Sequence, residues 1–166
     1  MLLSSRPSTL RWVSDSGTHL VGIAGQLVVL VPYDSPSAQS LEDLLRIFDD
    51  VARNGKGASL LLSFVGRPIL PPPKARAHIQ GFLDRVRSQM NAIAAVVPGE
   101  GFGAAAQRGA VTAVLMFARL ERVRICATLH EAVAWLSEWT QLPHDCGPIV
   151  SQIGNKVTEI ATSKQR

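Results

Sequence analysis

The sequence is poor in cysteine, since only Cys126 and Cys146 occur among its 166 residues. Two thiols cannot form the disulfide framework that stabilises small secreted domains, so we expect a reducing compartment. The first residues lack the long apolar segment of a secretory signal, and the longest apolar runs are strand-sized, too short to cross a bilayer. These absences predict a soluble, cytoplasmic protein without membrane insertion.

Clustered positive charge is missing as well, although the chain is basic, with a formal net charge of +4 and a sequence pI of about 9.6. The lysines and arginines are scattered over different segments, and aromatic residues make up only 5% of the chain. A nucleic-acid groove needs basic residues that are grouped along one face and interleaved with aromatics. We therefore expect a solvated, mildly basic surface and no nucleic-acid partner.

No catalytic motif is recognisable in the chain. It has neither the G-x-S-x-G turn of serine hydrolases nor a lysine that follows glycines as in nucleotide-hydrolase phosphate loops. The histidines are far apart and show no paired metal-ligand spacing: His19, His78, His130 and His144. Asp145 and Cys146 adjoin the last of them, but neighbouring loop residues rarely point at one another, so we expect a surface loop there. The sequence thus predicts no enzyme activity, no cofactor and no metal site.

Apolar runs that alternate with amphipathic helices are what the sequence does contain. Nearly continuous apolar runs cover residues 58–65, 92–97 and 123–127, which is typical of strands buried on both faces of a parallel sheet. Helical spacing predicts helices from Ser40, the expected N-cap, to residue 54, over 74–90 and over 104–119. Thr128 and Glu131 form a capping box that opens a further helix. Residues 10–13 and 19–24 form a predicted hairpin, and residues 26–31 continue or follow it.

This alternation predicts one α/β domain over residues 10–140, with a mixed, mostly parallel sheet of about five strands and about four helices. It leaves open whether the helices cover one face of the sheet or both. Residues 1–9 are expected to be a flexible tail. Residues 141–166 form an extension that is helical in part, because Ile149, Ile153, Val157 and Ile160 recur at helical spacing. This extension either docks on the domain, which is the simpler alternative, or reaches a partner.

The order of elements over residues 10–139 resembles the STAS domain, the fold of bacterial anti-sigma-factor antagonists. A strand that ends at Gly25, the buried strand at 60–65 and the closing helix LHEAVAWL, which follows Thr128, carry the resemblance. Regulatory members have Asp-x-Ser-Ser-Gly after the buried strand, with a phosphorylated serine, whereas this chain reads FVGRPI there. The resemblance implies a non-catalytic protein-interaction or regulatory module of bacterial signalling without the phospho-switch. The implied partner is another protein, bound by Gly66, Arg67, Pro68, Lys74 and Arg76.

A glycine-rich segment, PGEGFG at residues 98–103, suggests an alternative function. It follows a buried strand and opens a helix, where α/β proteins bind phosphates. Gly101, Gly103 and Arg108 are the candidate residues for a small ligand, nucleotide or anion. The spacing differs from G-x-G-x-x-G, and Glu100 would repel an anion, so a plain glycine-rich turn is the other interpretation. The identity of the partner and the oligomeric state stay open.

Overall fold

The computed structural model describes residues 9–66 and 70–164. Its elements follow one another as β1 (Arg11–Asp15), β2 (His19–Ala24), β3 (Leu27–Pro32), α1 (Ala38–Asn54), β4 (Ala58–Ser63), α2 (Pro73–Val86), β5 (Met90–Val96), α3 (Gly101–Phe117), β6 (Val123–Cys126), α4 (Leu129–Leu136) and α5 (Gly147–Ser163). The predicted α/β class is confirmed. The expected numbers of elements were low, since the described residues form six strands and five helices.

The strands lie in the sheet in the order of the sequence, from β1 at one edge to β6 at the other. β1, β2 and β3 pair antiparallel, whereas β3, β4, β5 and β6 pair parallel. The additional strand arises at Gly25, whose φ of +59° opens a two-residue turn between Ala24 and Leu27. Glycine adopts this positive φ without strain, so residues 27–32 reverse direction and form a strand of their own.

Helices cover both faces of the sheet. Each parallel connection moves one strand further in the same direction, and such crossovers are right-handed, so α1, α2 and α3 lie on one face. They form one core cluster with sheet residues such as Val28, Leu60 and Ile93. α4 and α5 form a second cluster with the residues that alternate with these, such as Val29 and Leu61. Burial on both faces explains why the inner strands are almost continuously apolar.

The helix ends differ from the prediction by up to one turn. Ser37, not Ser40, is the N-cap of α1, because Ser40 N donates to Ser37 Oγ at 3.1 Å and Ser37 N donates to Ser40 Oγ at 3.0 Å. Ser40 is therefore the second member of a reciprocal capping box. The Thr128 half of the predicted capping box of α4 is present, since Glu131 N donates to Thr128 Oγ1 at 3.1 Å. The Glu131 carboxylate accepts from Ala127 N at 3.2 Å and not from the N–H of Thr128. α2 ends before Met90, which already belongs to β5.

The C-terminal extension docks on the sheet through α5. Ile149 and Ile153 are 1% and 0% exposed and lie in the second core cluster with α4 and the sheet. A buried hydrogen bond between Ser59 Oγ of β4 and Thr140 Oγ1 fixes the chain just ahead of this segment. Of the two alternatives for the extension, the structure therefore contains the docked one.

Candidate functional site

The carboxyl ends of the parallel strands carry both of the sites that the sequence suggested. The β4–α2 connection contains Gly66 and leads to Lys74 and Arg76 in the first turn of α2, and the β5–α3 connection contains the glycine-rich segment. Because β4 and β5 are neighbours in the sheet, two segments that are far apart in sequence become adjacent connections at one end of the domain. Ligands of open α/β sheets bind at this end.

The first turn of α2 presents positive charge to solvent. Lys74 and Arg76 are exposed, and neither forms an ion pair within the described residues. Gly66 is exposed too, with a φ of +70°. Arg67 and Pro68, the other members of the predicted partner-binding surface, lie outside the described residues. The described part of this surface thus holds two cations that are available to an anionic group.

The side chain of Arg108 turns back onto the glycine-rich connection. Its Nε donates to Val97 O at 3.4 Å, and its Nη2 donates to Gly99 O. Gly101, with a φ of +82°, and Gly103 lie exposed in the first turn of α3. The guanidinium holds the loop by its carbonyl groups, so an anion bound at these glycines would compete with those carbonyls for Arg108.

Two large apolar side chains are exposed at this same end of the domain. Phe102, in the first turn of α3, is 91% exposed, and Leu70, in the β4–α2 connection, is 57% exposed. Met116 is also exposed, at 69%, but it lies at the opposite end of α3. The carboxyl end of the sheet therefore combines exposed apolar surface with unpaired positive charge.

A cavity of about 410 Å³ lies between the sheet and α1, α2 and α3. Its apolar lining comes from several elements: Leu30 of β3, Leu60 and Leu62 of β4, Leu41 and Leu44 of α1, and Phe82 of α2. α3 faces the cavity largely with small or short side chains, among them Ala106, Ala110 and Val114. These side chains are too short to fill the space beneath the helix, which explains why a cavity remains there.

His19 of β2 lines this cavity and is only 3% exposed. Its Nδ1 lies 3.1 Å from Thr18 Oγ1, and its Nε2 has no hydrogen-bond partner within the described residues. Every fully buried side-chain nitrogen or oxygen of those residues has a partner, so Nε2 must keep some accessible surface. Burial lowers the pKa of His19 below its usual 6.5, and the carboxylates of Asp15 and Asp43 oppose this shift. The ring is therefore neutral near pH 7.

Tyr33 lines the same end of the cavity, and its hydroxyl donates to Asp15 Oδ1. Burial and this carboxylate raise the pKa of Tyr33 to about 12, while the hydrogen bond lowers the pKa of Asp15. Asp34 and Ser35 also line this end, and no lysine or arginine does so in the described part of the chain. The polar end of the cavity is thus neutral to negative.

The loop that contains His144 holds its polar groups by local bonds. Asp145 Oδ1 accepts from Gly147 N at 2.9 Å, and Cys146 Sγ donates to Pro143 O at 3.1 Å. Burial raises the pKa of the Cys146 thiol, and that of Cys126 as well, so neither has the lowered pKa of an activated nucleophile. Within the residues that the structure describes, no group of three His, Cys, Asp or Glu is placed to hold a metal ion.

In comparisons with known proteins the chain matches no family model, no curated protein and no solved structure. The resemblance to STAS domains therefore stays a prediction. A membrane span is not found either, because none of the described helices combines the necessary length and apolar character. The function has to be inferred from the geometry of the chain itself.

Neither the cavity nor the position of His19 in its wall was predicted from the sequence. The signal for His19 was present: it alternates with Val21 and Ile23 along β2, and such residues share one face of a strand. The cavity had no comparable signal. Its volume depends on side chains from β3, β4 and three helices, which meet only in the folded protein.

Proposed function

We propose that the protein is a non-catalytic interaction module that binds another protein through one end of its α/β domain. The binding surface, which we call the α2–α3 tip, consists of Gly66, Leu70, Lys74, Arg76 and Phe102. The observation that carries the proposal is the 91% exposure of Phe102 at the same end of the sheet as two cations that lack an acidic partner within the described residues.

Exposed apolar area at the tip is available to a partner. Covering a phenylalanine or leucine side chain is worth about 1.5–3 kcal/mol, and aromatic residues are enriched among the residues that dominate binding energy. Leu70 lies in the β4–α2 connection and Phe102 in the first turn of α3, directly after the neighbouring β5–α3 connection, so one partner surface could cover both. Single exposed apolar residues are common on protein surfaces. The interface is supported by the occurrence of Phe102 and Leu70 together at one end of the domain.

The charge of the tip indicates a partner with acidic groups around an apolar spot. Lys74 and Arg76 lie in the first turn of α2, whose N-cap is Pro72 and carries no side-chain cap. The free N–H groups of this turn add partial positive charge. Charges at the rim of an interface mainly raise the association rate and fix the orientation of the partner.

The resemblance to anti-sigma-factor antagonists supports a regulatory role of bacterial signalling type in the cytoplasm, and these attributes belong to the proposal. The phospho-switch does not, because no serine follows the buried strand. Ser63, the nearest serine, lies within β4 and is 3% exposed. We expect the tip to bind its partner without prior phosphorylation at this junction.

The alternative function, binding of a nucleotide or another anion by Gly101, Gly103 and Arg108, stays a prediction. A bound ligand stabilises the folded state, so ATP or inorganic phosphate at millimolar concentration should raise the Tm if the site exists. Arg108→Ala should abolish that rise. No rise in Tm with the wild-type protein would dispose of this alternative.

A photo-reactive amino acid at position 102, introduced in the native cell, tests the proposed tip. The crosslinked protein is identified by mass spectrometry, purified and titrated against variants of this chain. Phe102→Ala should weaken binding by about 2 kcal/mol, or about 30-fold in Kd, as expected for a central aromatic contact. Arg76→Glu should lower the association rate more than it raises the dissociation rate.

Matched controls lie on the far side of the same domain. Met116→Ala changes an exposed apolar residue at the other end of α3, and Lys56→Glu reverses an exposed charge between α1 and β4. Both should bind like the wild type, and all variants should keep its Tm because the residues are exposed. Wild-type affinity in both tip variants, or an equal loss in the controls, would exclude the α2–α3 tip.

A further inference from the structure

The cavity under α1, α2 and α3 is too large to be a packing defect. Protein interiors contain few voids larger than a water molecule, and an engineered apolar cavity of about 150 Å³ already binds benzene. This cavity has a volume of about 410 Å³, in the range of natural ligand pockets. Its walls are side chains such as Leu44, Leu60 and Phe82, which offer water no hydrogen bonds. The space therefore suits a hydrocarbon body.

One end of the cavity is polar and can orient a ligand. His19 is only 3% exposed, and its Nε2 has no hydrogen-bond partner in the described part of the chain. A neutral imidazole nitrogen donates or accepts a hydrogen bond according to the tautomer. A hydroxyl group of a ligand can do both, so it can hydrogen-bond to Nε2 in either tautomer.

The charges around this end favour an uncharged ligand. The only charged side chain in the described lining is the carboxylate of Asp34, and the carboxylates of Asp15 and Asp43 act on His19 from nearby. No lysine or arginine belongs to the described lining. Lys164, which does not line the cavity, lies over the Tyr33 ring, 5.1 Å from its centroid, and donates to Tyr33 O, so its charge is already engaged by that residue. Moving an unpaired carboxylate from water into these surroundings would be costly.

We infer that this cavity binds an uncharged, mostly hydrocarbon molecule with one hydroxyl group, and that the hydroxyl hydrogen-bonds to His19 Nε2. The inference goes beyond the protein-binding role proposed for the α2–α3 tip. Leu70 of the tip also lines the cavity, whereas Phe102, Lys74 and Arg76 do not. The variants of Phe102 and Arg76 therefore test the tip without changing the cavity lining, and the two proposals are tested separately.

Three probes that share one ring system test the inference with the purified full chain at pH 7.5: naphthalene, 2-naphthol and 2-naphthoate. 2-Naphthol should bind saturably and raise the Tm by about 3–6 °C at tenfold excess over its Kd. 2-Naphthoate should bind at least tenfold more weakly. His19→Leu should weaken 2-naphthol about three- to tenfold, as for one lost hydrogen bond, and leave naphthalene unchanged.

Variants on α3 locate the binding. Val114→Phe, which places a large side chain in the cavity, should abolish binding of naphthalene and 2-naphthol, whereas the exposed control Met116→Phe should bind like the wild type. If His19→Leu fails to fold, His19→Val supplies the same comparison of the two probes, because it also removes both ring nitrogens without adding a hydrogen-bonding group. Absence of saturable binding by naphthalene and 2-naphthol, or binding retained by Val114→Phe, overturns the site. Equal affinity for 2-naphthoate and 2-naphthol overturns the assigned ligand class.

Discussion

Replacing Ile153 by alanine tests whether the C-terminal helix is an integral part of the core. The side chain is 0% exposed and packs in the cluster that α4, α5 and one face of the sheet share. The change removes three carbons, which at about 0.8 kcal/mol per buried methylene corresponds to about 2.4 kcal/mol of transfer free energy. The cavity left behind adds to this loss. We expect the free energy of unfolding to fall by about 3 kcal/mol.

Urea unfolding followed by tryptophan fluorescence and far-UV circular dichroism measures this loss, which corresponds to a decrease in Tm of about 6–12 °C. Ile160→Ala is the matched control, because Ile160 lies on the same helix and is only partly buried. It should cost about 1 kcal/mol. Leu45→Ala, at a 5% exposed position of α1 that belongs to the first core cluster and does not line the cavity, supplies a reference for a packed core residue and should cost about 3 kcal/mol. A loss below about 0.5 kcal/mol for Ile153→Ala, beside the full loss for Leu45→Ala, would refute the docking of α5.

Two further predictions concern His19 and the start of α1. Because burial lowers the pKa of His19 in the folded state, the unfolded chain binds the proton first as the pH falls below 6.5. Stability should therefore be complete above pH 6.5 and fall as the pH drops towards the folded-state pKa, and His19→Gln should lose this dependence in urea titrations at pH 7.5 and 5.5. If the urea midpoint changes between pH 7.5 and pH 5.5 by the same amount in the wild type and in His19→Gln, the burial argument is contradicted. Ser37→Ala should cost about 1 kcal/mol in the same titration because Ser40 N loses its acceptor, whereas Ser151→Ala, at an exposed position within α5, should change stability by less than about 0.5 kcal/mol.

Most of the fold follows from patterns that are local in the sequence. Residues buried on both faces of a parallel sheet are apolar without alternation, so β4 and β5 were visible as runs. β6 is a strand as predicted, but the expectation that it is buried on both faces was wrong, because it lies at the edge of the sheet and exposes Arg124. The end of α1 was visible because Asn54 and Gly55 terminate a helical stripe. The start of α1 was misplaced because Ser37 and Ser40 cap each other reciprocally, and from sequence either serine can be the N-cap.

The features that were not predictable depend on contacts between distant segments. α5 shows helical spacing, but only the folded sheet supplies the apolar face on which Ile153 is buried. Likewise, Arg108 has the residue type and position of an anion ligand, and its bond to Gly99 O arises from the path of the β5–α3 connection. The adjacency of the two candidate loops follows from the strand order β4–β5, which the alternation of elements suggested without fixing it.

The space beneath α3 leads us to expect that a larger side chain at its edge does not destabilise the protein. Enlarging a side chain in a packed core normally costs about 1–3 kcal/mol, because neighbours are forced out of their preferred rotamers. Val114 lines the cavity, whereas Val86 of α2 is 0% exposed, belongs to the core cluster under α1, α2 and α3, and does not line the cavity. Val114→Phe should therefore leave the unliganded protein as stable as the wild type or more stable by about 1 kcal/mol, since it buries further carbon without displacing any.

Val86→Phe should show the ordinary loss of about 1–3 kcal/mol, because Val86 is fully buried and does not line the cavity. Urea titration of both variants tests, without any ligand, whether the cavity under α3 exists. If the two changes destabilise the protein equally, the sheet and α3 are in close contact, and there is no cavity for a hydrophobic alcohol to occupy. If only Val86→Phe destabilises it, the short side chains of α3 leave open a volume that the rest of the core does not need for its stability.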